Sequence, residues 1–284
     1  MADTDTEQPL LMAQRRPVSL GRYALRRKLG GGVSGTVWAA FDPESGREVA
    51  VTLMRASGPA RAQLVERARA WQRIDHPNIA KIRDVGLFLD PRDPKGRRCG
   101  VYLMRDFVPG VALQTWLDGL PTPLDPATIE HVLVLFCAAG RGLAAAHAEG
   151  LVHRDPCPAS VIVGHDGIPR VVDFGGPEAK PMSPSDLDVA PRYPAPETRR
   201  GEVPDARADQ YGLCAALLAT LDRGARAPLD RRLRAALERG MAERPEDRWP
   251  AMEELVRAIE RSRSGWFRGV AQALPRRPLG LRWP

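Results

Sequence analysis

At 284 residues the chain can bury one large core or two modest lobes. Hydrophobic residues at 43% and charged residues at 27% give a globular balance, and no apolar run is expected to reach the roughly 18 to 20 residues that cross a bilayer. The net charge of +7 comes almost wholly from arginines mixed with acids, and aromatics are only 6%, too few for a base-stacking surface, so nucleic acid is excluded as the expected partner.

Residues 1–18 are polar and include Pro9 and Pro17, so a disordered lead-in is expected. They carry acids and no apolar block behind a basic start; a secretory signal is not expected, and the cytoplasm is the default expectation. From Tyr23 the pattern alternates. Strands are predicted over 23–29, 36–41 and 47–54, with turns at the glycine-rich 30–35 and at 42–46. A helix is predicted over 60–74, with Leu64, Ala68 and Trp71 on one face, ended by His76-Pro77-Asn78. Residues 82–89 and 99–107 follow as a hairpin with a charged, proline-containing loop over 90–98. After Val108-Pro109-Gly110 helices are predicted over 113–120, 128–149, 207–221, 230–241 and 251–262. Loops and short strands fill 151–175. A strand-rich first third before a helical remainder implies an α+β chain of two lobes, 19–108 and 109–262. The basic tail over 263–284 holds Trp266, Phe267 and Trp283, and either packs on the helical lobe or stays a flexible stretch with docking aromatics. Cys99, Cys137, Cys157 and Cys214 stand far apart, without a Cys-x-x-Cys pair, which suggests neither a zinc site nor a disulfide framework.

Two loops concentrate the chemistry-bearing residues. His153-Arg154-Asp155 follows the long apolar helix, and Asp173-Phe174-Gly175 follows a short hairpin. Upstream, Gly30-x-Gly32-x-x-Gly35-x-Val37 lies between two strands, which disfavours a dinucleotide-binding turn but lets backbone amides approach a phosphate. Val49-Ala50-Val51-Thr52-Leu53 comes next. Downstream lie Pro194-Ala195-Pro196-Glu197, Asp209-Gln210-Tyr211-Gly212 and Pro245-Glu246-Asp247-Arg248-Trp249. In this order, over about residues 20–262, the chain resembles the protein kinase family, near the serine/threonine kinases of bacteria.

The resemblance implies a small β-rich lobe, a larger helical lobe, and ATP and Mg²⁺ as the cofactors of the cleft between them. It gives Asp155 the position that accepts the proton of a substrate hydroxyl, and Asp173 the position that holds magnesium. It places Gly30, Gly32, Gly35, Val37, Ala50 and Ile162 around the nucleotide, with Arg105, Asp106 and Val108 in the segment joining the lobes. It also implies that Asp209 braces the His153-Arg154-Asp155 loop through backbone amides and that Glu197 pairs with a buried Arg248. Trp71, Ile82, His153 and Phe174 should form an apolar stack.

The departures from the family pattern fall on phosphate, metal and proton handling. Thr52 stands where the family has its phosphate-binding Lys. Counting nine back from His76, Arg67 stands where the family has the Glu that pairs with that Lys. Arg67 either reaches inward as a replacement cation or lies on an outward face. Arg105 falls behind the adenine, at a position that is usually apolar; it either pairs with Asp173 or snorkels outward. Cys157 replaces a second Lys, and Ser160 replaces the Asn that binds metal, offering a hydroxyl of shorter reach. Ala190 replaces a Thr that steadies the catalytic Asp. The expected function is a pseudokinase, a regulatory or scaffold module with a protein partner and weak or absent ATP binding. The alternative is a low-activity ATP-dependent serine/threonine kinase acting on a protein substrate through Asp155 and Asp173, with an Arg replacing the missing Lys. Ser183 and Ser185 are candidate sites for another kinase.

Overall fold

The computed structural model describes residues 19–32, 35–89, 99–174, 192–224 and 229–263. The loop 90–98, Gly175, Ser183, Ser185, Ala190 and the expected lead-in and tail all lie outside these residues.

Alternating side chains build a six-stranded antiparallel sheet in the order β1-β2-β3-β4-β6-β5. Its strands are β1 (Ser19–Leu20), β2 (Tyr23–Gly32), β3 (Gly35–Asp42), β4 (Arg47–Arg55), β5 (Ile82–Leu89) and β6 (Cys99–Asp106). The period of two separates β4 into two buried faces. Val49 and Val51 join Tyr23, Leu25, Ala40 and Met104 in a small outer core. Met54, on the other face, joins the main core against Ala68 and Trp71 of α1 (Gly58–Arg73).

The glycine-rich stretch differs from the expected turn over 30–35. Gly30, Gly31 and Gly32 pair with Val37, Thr36 and Gly35, so the ladder runs on and the turn narrows to Val33 and Ser34, which lie outside the described residues. Gly35 has φ +122°, and a Cβ there would meet the Leu53 carbonyl at 2.2 Å, so glycine is required.

The short parallel bridge Ile79↔Val171 ties the lobes together. Around it the Ala80 amide donates to the Val171 carbonyl and the Val171 amide to the Asn78 carbonyl. Helix α3 (Pro126–Ala148) passes beneath, and its Gly142 has no room for a side chain: a Cβ would lie 2.5 Å from the Asn78 carbonyl oxygen. Gly142→Ala is expected to lower stability by about 1–3 kcal/mol in urea unfolding, as overpacking against a fixed backbone does; an unchanged midpoint would show that the two segments can part freely.

The larger lobe adds β7 (Gly110–Ala112), α2 (Leu113–Asp118), β8 (Val161–Gly164) and β9 (Pro169–Val171), the strands forming a three-stranded sheet. Helices α4 (Pro196–Arg199), α5 (Ala206–Gly224), α6 (Arg231–Gly240) and α7 (Met252–Arg263) complete it. Helix α3 starts at Pro126, earlier than expected, because Asp125 caps it: its carboxylate accepts from the Thr128 amide at 2.8 Å, and proline suits the first turn.

Helix α3 also corrects the expectation that no apolar stretch is long enough for a bilayer. It has 23 residues and contains an 18-residue window of mean hydropathy 1.5, and of its Asp, Glu, Lys and Arg positions only Glu130 and Arg141 are filled. In the fold 72% of that window is buried inside the protein, against α5 and α7, so its apolar surface forms the core.

Candidate functional site

Sheet register assembles the roof of the cleft. Val37 pairs with Thr52, Ala39 with Ala50, and Ala50 in turn with Arg105. Directly opposed residues project to the same face, so Val37, Ala50, Thr52 and Arg105 share one surface. Thr52 is buried and supplies no charge there.

The floor is the loop after α3. Asp209, at the start of α5, is fully buried and accepts from the His153 and Arg154 amides, both at 2.8 Å. It also accepts from His147 Nε2 at 2.7 Å, a contact absent from the sequence expectations. The one local signal for His147 is a histidine in the last turn of a helix that is otherwise apolar at its end. Arg154 takes φ +75°, a conformation unusual for a residue with a side chain. His153 Nε2 lies 2.9 Å from the Val172 carbonyl, which only accepts, so Nε2 carries the proton and Nδ1 accepts from the Asp155 amide. Phe174 packs between Trp71 and His153, with ring centroids 4.9 and 4.8 Å apart. Ile82 is buried in the same core.

Asp155 faces the segment that returns to α4. Its Oδ1 accepts from the Arg192 amide at 3.2 Å. Burial raises its carboxyl above the ordinary range, with His153 and the Arg192 amide opposing. Cys157 is buried, and burial pushes its thiol up, so it brings no charge to replace the family's second Lys.

Ser160 bonds within its own loop. Its hydroxyl donates to the Cys157 carbonyl at 2.8 Å and accepts from the Cys157 amide at 3.2 Å, closing the 3-10 turn Pro158–Ser160. The short side chain bonds its own loop, a habit of serine in tight turns.

Arg67 and Arg105 take up the alternatives that the sequence leaves open. Arg67 is not on an outward face; its Nη2 donates to the Val152 carbonyl at 3.4 Å. Arg105 does not snorkel. Only 6% of it is exposed, and its Nε is buried without a partner among the described residues. Burial lowers its pKa from the ordinary value, and the charge of Asp173 acts in the opposite sense; an arginine stays cationic through such shifts. Asp173 takes φ +62°, and its Oδ1 is also buried without a partner among the described residues.

In the joining segment the Asp106 side chain turns to a neighbouring strand. Asp106 receives Arg83 in three hydrogen bonds, Nε to Oδ1 at 2.9 Å and to Oδ2 at 3.1 Å, and Nη2 to Oδ2 at 2.8 Å. Asp106 and Val108 line a groove of about 470 Å³ with Lys81, His165 and Arg170. None of Val37, Ala50, Thr52 or Arg105 lines that groove. Ile162 sits in β8, opposite Ala112.

At the family's metal- and phosphate-handling positions one acid is kept. Asp173 is a hard oxygen ligand, but Ser160 is committed to its turn and Thr52 brings no cation. No cluster of three metal-ligating side chains exists among the described residues.

Beyond the cleft, Glu197 at the start of α4 meets Arg248 in two hydrogen bonds of 2.7 Å, both side chains buried.

A sheet over one helix, the stack of Trp71, Phe174 and His153, the loop braced by Asp209 and the Glu197–Arg248 pair define a protein kinase fold. The family model described as the protein kinase domain matches residues 23–250, and the chain belongs to the protein kinase family. Among similar proteins, serine/threonine-protein kinase PknA of Mycobacterium tuberculosis is 32% identical over 211 residues, covering 71% of this chain and 47% of PknA. Serine/threonine-protein kinase Pkn1 of Myxococcus xanthus is 31% identical over 281 residues, covering 86% of this chain and 38% of Pkn1. The crystal structure of the Mycobacterium tuberculosis PknI kinase domain superposes with a TM-score of 0.68 at 27% identity, covering 88% of this chain and 100% of that one. The chain thus spans less than half the length of these two curated relatives.

Proposed function

We propose that this chain is a pseudokinase, a kinase-shaped regulatory or scaffold module that binds a protein partner and has weak or no affinity for ATP. The observation that carries this reading is Arg105, buried behind the adenine position in a cleft whose phosphate-binding Lys is Thr52. Phosphoryl transfer depends on positioning and charge stabilisation. Here the cations at 52 and 157 and the amide ligand at 160 are all replaced. Electrostatic groups of that kind are worth roughly 2–4 kcal/mol each to a transition state, so transfer should be slower by orders of magnitude even where the losses do not add.

A second reading, a low-activity ATP-dependent kinase with an arginine replacing the Lys, draws support from Asp155 and the assembled stack of Trp71, Phe174 and His153. Radiolabelled autophosphorylation separates the two. The purified chain with Mg²⁺ and ATP is expected to incorporate no more label than Asp155→Asn. Incorporation that Asp155→Asn abolishes would refute the pseudokinase reading and establish the second.

A further inference from the structure

We propose that the groove behind the joining segment is the docking site of the chain's own residues 264–284, with Trp266 and Phe267 as the anchors. The inference does not depend on phosphate transfer, since none of Val37, Ala50, Thr52 or Arg105 lines this groove.

The groove of about 470 Å³ is shared by three segments: 75–83 leading into β5, 106–109 joining the lobes, and 164–170 around the β8–β9 turn. Its charges are matched within it. Arg83 binds Asp106, Arg170 binds Asp166 at 2.6 Å, and Lys81 lies 4.0 Å from Asp75. Lys81 also donates to the Ile74 carbonyl at 2.8 Å, and His76 Nδ1 accepts from the Asn78 amide at 3.1 Å. What the groove has left to offer is apolar surface: Pro77 and Pro109 are exposed, and Phe107 and Val108 are half-buried. An ionic ligand would have to compete with a pair already made. An aromatic side chain gains by covering the apolar surface and by lying against the guanidinium groups of Arg83 and Arg170.

The end of α7 lies close to this groove. Glu260 of α7 pairs with Arg141 of α3. The next residue of α3, Gly142, lies so close to Asn78 that a Cβ would come 2.5 Å from its carbonyl oxygen. Asn78 sits between the groove residues Pro77 and Ile79. One helix width, about 10–12 Å, therefore separates the last turn of α7 from the groove wall. Trp266 and Phe267 follow Arg263 by three and four residues, a reach of about 10–14 Å in extended chain.

The tail has the matching composition. Its 21 residues hold no acid, four arginines and two of the six tryptophans of the chain. The other four, Trp38, Trp71, Trp116 and Trp249, all pack against a hydrophobic core. A second copy of the chain would bring the same aromatics, but the tether holds this chain's own at an effective concentration of roughly millimolar, which favours the intramolecular occupant.

The test is hydrogen exchange of the full chain at residues 106–109 and 164–168. Trp266→Ala with Phe267→Ala is expected to speed exchange there by about tenfold, with exchange in α3 unchanged. A synthetic peptide of residues 264–284, added to that double variant, is expected to restore the protection; the same peptide with both aromatics replaced by alanine is expected to do nothing. On the groove side, Val108→Arg with the native tail is expected to show the same loss at 164–168. Should Val108→Arg not fold, Pro77→Arg takes its place. Equal exchange at the groove in the native chain and the tail variant would overturn the proposal. So would groove protection that rises with protein concentration and persists in the tail variant, which would assign the groove to a second copy. None of these readouts uses ATP or Asp155, so their failure leaves the pseudokinase reading standing.

Discussion

Arg248→Ala is expected to cost about 3–5 kcal/mol of stability, the range for removing one partner of a buried ion pair. Arg248 is 1% exposed and Glu197 3%. The guanidinium is fully engaged: two bonds go to Glu197, Nε donates to the Ala242 carbonyl at 2.9 Å, and Nη1 donates to the Arg207 carbonyl at 3.1 Å. It also lies over the Tyr211 ring. Truncation leaves a buried carboxylate without its donors and removes the bonds to the Ala242, Arg207 and Glu243 carbonyls. Urea unfolding of Arg248→Ala measures the loss, and a loss under about 1 kcal/mol would mean that the site relaxes or admits water. The pair also predicts an acid response. Burial pushes the Glu197 carboxyl up, but the hydrogen bonds from Arg248, a backbone hydrogen bond and the charges of Arg248 and Arg200 together outweigh it, and the net shift is downward. A depressed carboxyl contributes stability above its unfolded pKa of about 4.3 and loses it as pH falls through the folded value. The native chain should therefore lose stability more steeply below about pH 4 than a Glu197→Leu, Arg248→Met double variant.

The parts of the fold legible in the sequence are those fixed by local period and punctuation. The strands β3, β4 and β5 and helix α1 fall within two residues of their expected spans, because alternation, β-branched runs and Pro77 are local signals. Strands β1 and β7 and helix α4 span only 2, 3 and 4 residues, and they exist by pairing or packing with distant segments, so no local pattern announces them. Arg105 illustrates the limit at the site. Alternation along β6 places it on the same face as Leu103. Whether it stays inside depends on Ala39 and Ala50, which meet it only through the register of two other ladders. Ser160 illustrates a different limit: its chemistry allows a metal contact, and only the geometry of the loop commits its hydroxyl to Cys157.

Asp209→Ala is expected to destabilise the chain by on the order of 3 to 6 kcal/mol, since three donors lose their acceptor and each orphaned buried group costs roughly 1–3 kcal/mol. Two of those donors are the amides of His153 and Arg154, and the third is His147. Asp209→Asn is not a mild substitute. It keeps one carbonyl oxygen but turns an NH₂ toward groups that are themselves donors, so about half of the loss is expected. Urea unfolding gives the magnitude, and hydrogen exchange at residues 153 and 154 gives the location: those amides should lose protection first. Retained protection in Asp209→Ala would show that the loop is held from elsewhere. The size of this effect bears on why the loop is braced. Asp209 sits on the core helix α5 and fixes the positive φ of Arg154, the turn into Asp155 and the position of the His153 ring against Phe174. Those contacts are needed for the loop to fold whether or not a phosphate is ever transferred. With Thr52 and Ser160 at the family's Lys and Asn positions the chain would still lose this stability without Asp209, which gives a physical reason for the bracing residues that does not depend on phosphate transfer.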